Sequence, residues 1–142
     1  MKTKIKFEQL NHNWNADPNV PEVNIAVLKN DVVVEFFLNA FQYNNFCEGD
    51  RARLTFHDCL QYRCGEPNDE DFYLGHSRYK SSGVKWGEFY LVHNSNWKKD
   101  FPTSIFVSDQ PHDKLKNYLF YFKDETFECI AKSYDLQIEQ NS

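Results

Sequence analysis

The sequence predicts an all-β domain, or a mainly β one with one or two short helices, arranged as an antiparallel β-sandwich or a partly closed barrel. Three observations carry that expectation. Aromatic residues make up 17% of the chain, as 13 Phe, 8 Tyr and 3 Trp, and large rings both favour strands and bury much surface. Short apolar runs recur with turn residues between them. No stretch keeps the 3.6-residue periodicity of a long helix.

Element by element, Ile5 and Phe7 alternate with charged residues, as in an edge strand with one buried face. Residues 11–21 hold two prolines, four asparagines and Trp14, a polar loop pinned by the indole. Residues 23–28 and 32–38 are apolar runs split by Lys29-Asn30-Asp31, a hairpin connection. The second run is apolar on both faces except at Glu35, which suits a central strand. Residues 39–46 fit either a helical turn or a continued strand. After the Glu48-Gly49-Asp50 turn the apolar pattern resumes at Leu54, Phe56 and Leu60.

Residues 65–71 form an acidic turn, residues 72–74 a short strand and residues 81–83 a loop. Residues 86–92 read as a strand with Gly87 at a bulge. Ile105-Phe106-Val107 follows, then a turn from Asp109 to His112, with one helical turn expected over 113–117. Residues 118–122 and 126–131 are aromatic and β-branched arms around Lys123-Asp124-Glu125, the clearest hairpin of the chain. About nine strand candidates in a chain of this length fit a single domain over 1–142, with no repeat, linker or internal boundary.

The balance of 21 acidic and 16 basic residues, a net charge of −5, argues against nucleic acid as a partner, because phosphate binding needs a basic face. Aromatic and basic residues do adjoin at Arg78-Tyr79-Lys80, Lys85-Trp86 and Trp97-Lys98-Lys99, but acids are interspersed among them. No apolar run reaches membrane-spanning length, and no apolar stretch of signal-peptide length follows the charged start. A cytoplasmic protein with reduced thiols at Cys47, Cys59, Cys64 and Cys129 is expected.

Catalytic patterns are weak. His57, Cys59, Cys64 and His76 offer thiolate and imidazole, and alternation by two would put His57 and Cys59 on one side of a strand. Their gaps of one, four and eleven residues match no zinc ribbon or finger. Buried structural thiols beside a surface histidine account for them better, and no metal is expected. Cys59 or Cys129 with His93 or His112 makes a Cys–His pair on paper, but with five histidines such pairs arise by chance. Glu35 inside its apolar strand would carry a raised pKa if buried, although a sheet edge or an arginine such as Arg53 or Arg63 would satisfy it. The five glycines are isolated, so no phosphate-cradling loop exists and no cofactor is expected.

The segments Trp14-Asn15-x-Asp17-Pro18-Asn19, Tyr62-Arg63-x-Gly65-x-x-Asn68-Asp69-Glu70, Trp86-Gly87-Glu88-Phe89-Tyr90 and Leu119-Phe120-Tyr121-Phe122-x-Asp124-Glu125-Thr126-Phe127-Glu128-Cys129 carry a resemblance. They resemble a family of small bacterial proteins of unassigned function, over nearly the whole chain. The resemblance implies one intact domain and no particular activity. More loosely, the small, acidic, aromatic-rich β character is similar to immunity proteins that neutralise bacterial toxins.

The expectation is therefore a non-enzymatic, protein-binding inhibitor of the immunity type, occluding a basic toxin domain. Its partner-binding residues are expected in the acidic turn, at Glu66, Asp69, Glu70 and Asp71, and at the aromatic anchors Trp86 and Trp97. The alternative is a small-ligand-binding β domain with an aromatic-lined pocket walled by Trp86, Tyr90 or Tyr121.

Overall fold

The computed structural model describes residues 6–65, 87–94, 105–109, 114–122 and 126–140. Ten strands run through them: β1 (Lys6–Gln9), β2 (Asn24–Leu28), β3 (Asp31–Phe37), β4 (Arg51–His57), β5 (Gln61–Gly65), β6 (Phe89–His93), β7 (Ile105–Phe106), β8 (Lys116–Tyr121), β9 (Thr126–Ala131) and β10 (Ser133–Glu139). They form a six-stranded sheet, β1-β6-β8-β9-β5-β7, and a four-stranded sheet, β10-β4-β3-β2. Every pairing is antiparallel. The sheets pack as a sandwich and do not close into a barrel. Among the described residues no helix is long and apolar enough to cross a membrane.

The expected hairpins are present. Leu28 pairs with Asp31 around Lys29-Asn30, where Lys29 takes a φ of 58°. Tyr121 pairs with Thr126 across the C-terminal hairpin, whose turn at 123–125 lies outside the described residues. The strand at 72–74, the loop at 81–83 and the turn at 110–112 also lie outside them. β3 is central in its sheet and β1 is an edge, as their sequences imply.

Three expectations change. Lys116 and Asn117 open β8, so the helical turn expected over 113–117 does not extend to them. β6 begins only at Phe89, because Gly87 turns the chain at φ 82°. Leu60 leaves the β4 pattern and packs with Ile130 and Leu115. β5 and β10 are two strands beyond those the sequence predicts. β5 is short and mixed in character, whereas Tyr134, Leu136 and Ile138 do alternate with polar residues along β10.

The space between the sheets is filled by rings. Phe56 of β4 lies 5.9 Å from Phe89, 5.4 Å from Tyr118 and 5.3 Å from Phe127, all on the facing sheet. Phe36 of β3 meets Phe120 at 4.8 Å and Phe122 at 5.3 Å, and Trp14 closes over Phe36 at 6.0 Å. Offset and edge-on aromatic pairs of this kind each add about 0.5–1.5 kcal/mol beyond simple burial. β9 is buried along its whole length, because the outer face of the six-stranded sheet also carries apolar clusters. Tyr90, Val92, Leu119 and Tyr121 form one, with Phe7 against it.

Candidate functional site

The expected partner-binding residues Glu66, Asp69, Glu70, Asp71, Trp86 and Trp97 all lie outside the described residues, as does His76. Of the remaining thiol and imidazole candidates, the structure separates His57 from Cys59. β4 ends at His57, and Asp58 turns the chain at φ 49°. His57 therefore faces outward beside carboxylates while Cys59 is buried in the core. Strand alternation does not continue through such a residue, so the expectation that the two share one side is wrong. Burial pushes the Cys129 thiol well above its ordinary range, and contact with Cys59 adds to this. His93 pairs instead with Glu8, at 2.8 Å on the exposed β1–β6 edge. Among the described residues no group of His, Cys, Asp and Glu is arranged to hold a metal ion.

Glu35 takes its structural role. It sits in the interior strand β3, opposite Arg53 of β4, whose guanidinium lies 3.6 Å away. A carboxylate that sequence reasoning missed is more deeply placed. Glu128 is 1% exposed on the outer face of β9. The sheet register sets it opposite Arg63 of β5, whose guanidinium donates to it at 3.0 Å, and the Asn117 side-chain amide donates at 3.0 Å. Removing one member of a buried ion pair of this kind is costly, because a charge stays buried without its counter-charge.

A second buried carboxylate, Glu88, has a different solution. Its oxygens accept hydrogen bonds from the side-chain amides of Gln9 at 2.7 Å, Asn11 at 2.5 Å and Asn15 at 2.7 Å, with no cation in the set. Asn11 also donates to the Trp14 carbonyl and accepts from the Phe89 backbone N–H. The Ala16 N–H donates to the Gly87 carbonyl at 3.1 Å. The segments around Trp14-Asn15 and Gly87-Glu88-Phe89, far apart in sequence, thus meet as one polar joint. Burial raises the Tyr43 phenol, and the Glu88 charge raises it further. With three amides of the 9–15 segment on Glu88, the joint holds the 10–16 loop on the sheet.

His57 lies on the outer face of the four-stranded sheet between two acids. Its Nε2 is 2.6 Å from Asp135 of β10 and its Nδ1 is 3.4 Å from Asp31 of β3. The hydrogen bond to Asp135 is the main cause of its raised pKa, opposed by partial burial and reinforced by Asp31. The protonated ring bridges three strands. Asp–His pairs serve as general bases where a nucleophile adjoins; among the described residues the ring's partners are the two carboxylates.

A cleft of ≈ 320 Å³ lies at the end of β3, lined by Asp17, Val20, Phe37, Phe41, Glu48 and Gly49 among others. Three turns build it, two of them directed by a side chain. Asp17 Oδ1 accepts from the backbone N–H groups of Asn19 and Val20, which turns Val20 outward. Asn39 Oδ1 accepts from the N–H groups of Phe41 and Gln42, which lifts Phe41 off the surface. Gly49, at φ 95°, allows the tight turn that presents Glu48. Phe41 is 74% and Val20 57% exposed. Phe37, whose ring carries the Arg51 guanidinium at 5.0 Å, lines the same cleft. An exposed aromatic and an aliphatic side chain bordered by two carboxylates form a contact surface with a stated polarity. The sequence signal for it was the Glu48-Gly49-Asp50 turn and the ambiguous 39–46 segment, which hides an asparagine-capped turn.

Tyr90 and Tyr121, expected on the wall of a ligand pocket, are buried together on the outer face of the six-stranded sheet. Burial pushes Tyr121 up to about 12. Comparison with protein-family models, with curated proteins and with solved structures finds no match to this chain.

Proposed function

We propose that this chain is a protein-binding inhibitor of the immunity type, which neutralises a toxin by covering a basic surface on it. One observation carries the reading: the most exposed large aromatic among the described residues, Phe41, stands over a cleft bordered by Asp17 and Glu48. Exposed rings supply binding energy when a partner dries them, and flanking carboxylates select a positive partner and speed its approach. The net charge of −5 acts in the same direction. An interface of standard size, about 1,600 Å² in total, would extend well beyond this cleft.

The test is recovery of the tagged chain from its native host at low salt, followed by elution with rising salt. One stoichiometric basic partner, with an enzymatic activity that the chain abolishes, is expected. A solitary chain, or a partner whose activity is unaffected by saturating amounts of it, would overturn the proposal.

A further inference from the structure

We propose that β2 pairs, antiparallel and about Ala26, with β2 of a second copy of this chain, so that two four-stranded sheets join into one. The proposal goes beyond the inhibitor reading and does not depend on it. Among the described residues β2 is an edge of its sheet, bonded to β3 on one side. An edge strand presents a row of N–H and C=O groups that an incoming extended strand completes. Val27 and Leu28 expose apolar side chains along the same edge.

The four sheet edges differ in what would meet at such a pairing. β1 carries Lys6 and Glu8, and β10 carries Asp135 and Glu139, charges of the kind that keep edges from pairing. β7 is only two residues long. β2 is Asn24-Ile25-Ala26-Val27-Leu28, with no charge along it. In a pairing turned about Ala26, Ile25 faces Val27 of the second copy and Asn24 faces Leu28, so apolar side chains meet at the centre.

Charge at the two ends selects a second copy as the occupant. Glu22 and Lys29 flank the strand, both are exposed, and neither is in an ion pair among the described residues. Antiparallel pairing sets the Glu22 end of each strand beside the Lys29 end of the other, so acid meets base twice across the two-fold axis. Both residues have positive φ, 47° and 58°, which confines the extended stretch between them. With β3 on its other side each β2 offers one edge, so two copies close the assembly and it does not propagate. A five-residue strand pair buries less than the roughly 1,200 Å² of a standard interface, so the dimer is weak and reversible.

Sedimentation of the full chain tests this. Between about 10 µM and 1 mM the weight-average mass should rise reversibly from one chain toward two. Ile25 packs against the core and Ala26 points the other way. Ala26→Lys therefore sets two ammonium groups against each other at the axis without burying a charge, and it should leave the chain monomeric. Glu22→Lys should weaken association on the order of fivefold, and adding Lys29→Glu to it should restore the dimer. In a Cys47→Ser background, Ala26→Cys should form a disulfide-linked dimer with oxidised glutathione, because residues paired at the axis lie about 4.5–5.5 Å apart between Cα atoms. Asn24→Cys, off the axis, should not. A mass of one chain at every concentration, a dimer that survives Ala26→Lys, a charge-swapped chain no better than Glu22→Lys alone, or equal cross-linking at positions 24 and 26 would overturn the proposal.

Discussion

Glu88 and His57 show two ways in which a single charged side chain can hold this fold. Glu88 is 8% exposed and satisfied by three amides. Removing its carboxylate would strand those donors in the interior, each at a cost of about 1–3 kcal/mol before relaxation. Glu88→Ala should therefore lower stability by about 2–4 kcal/mol in urea unfolding, with the slope unchanged. A loss under about 1 kcal/mol would mean that the loop finds other partners.

His57 works through its titration. The folded pKa is raised, chiefly by Asp135 and also by Asp31, so the protonated ring stabilises the fold. That contribution is fully present below the unfolded value of about 6.5 and is lost as pH rises through the folded value. The ring's own strand places Thr55 beside it and the neighbouring strands place Ser133, Asp31 and Asp135, and only the two aspartates among these are charged. The stability difference between the natural chain and His57→Gln should be largest between about pH 5 and 6.5, where the aspartates are still ionised, and should fade above that window. A difference that grows with pH would show that the bridge does not exist in solution.

At the scale of the element, the strands divide by position rather than by composition. β3, β4, β5, β6, β8 and β9 are interior, and all of these but β5 carry a fully buried phenylalanine ring, whereas β1, β2, β7 and β10 are edges. β2 and β7 expose Leu28 and Phe106 despite their apolar character. Amide exchange should follow this division, with Val34, Leu54, Leu119 and Cys129 the slowest and the edge strands opening first. Exchange of β8 or β9 as fast as β10 would contradict the packing.

The joints between elements are equally specific. A Cβ at Gly87 would lie 3.4 Å from the Ala16 carbonyl oxygen, and the backbone there has φ +82°. Gly87→Ala should cost about 1–2 kcal/mol, mainly from the left-handed backbone, since the space itself is merely tight. A neutral result would mean that the 10–16 loop can shift away from the sheet.

At the scale of the whole molecule, the sandwich buries most of the described aromatic rings in its own interior and exposes Phe41 and Phe106, the former beside acids. If that surface meets a basic partner, association should slow as salt rises while dissociation changes little. Phe41→Ser should mainly speed dissociation, by tenfold or more for a central anchor worth about 1.4 kcal/mol or above. Stopped-flow association at several ionic strengths separates the two effects. A partner that binds Phe41→Ser unchanged would place the interface elsewhere on the molecule.

By itself the sequence determined the β class, the two hairpins and the central place of the 32–38 run, and it offered an arginine as one of the ways to satisfy Glu35. These follow from alternation, turn chemistry and the cost of an unpaired charge, all of which act over a few residues. The tertiary structure decided the rest. The split of His57 from Cys59 depends on one positive φ at Asp58, a backbone state that composition does not announce. The Glu88 joint and the Glu128–Arg63 pair join residues 73 and 65 positions apart, which only sheet register brings into contact. Phe41 could be told from the buried phenylalanines only once the other rings had filled the space between the sheets, because burial is a property of the assembled layers and not of the residue.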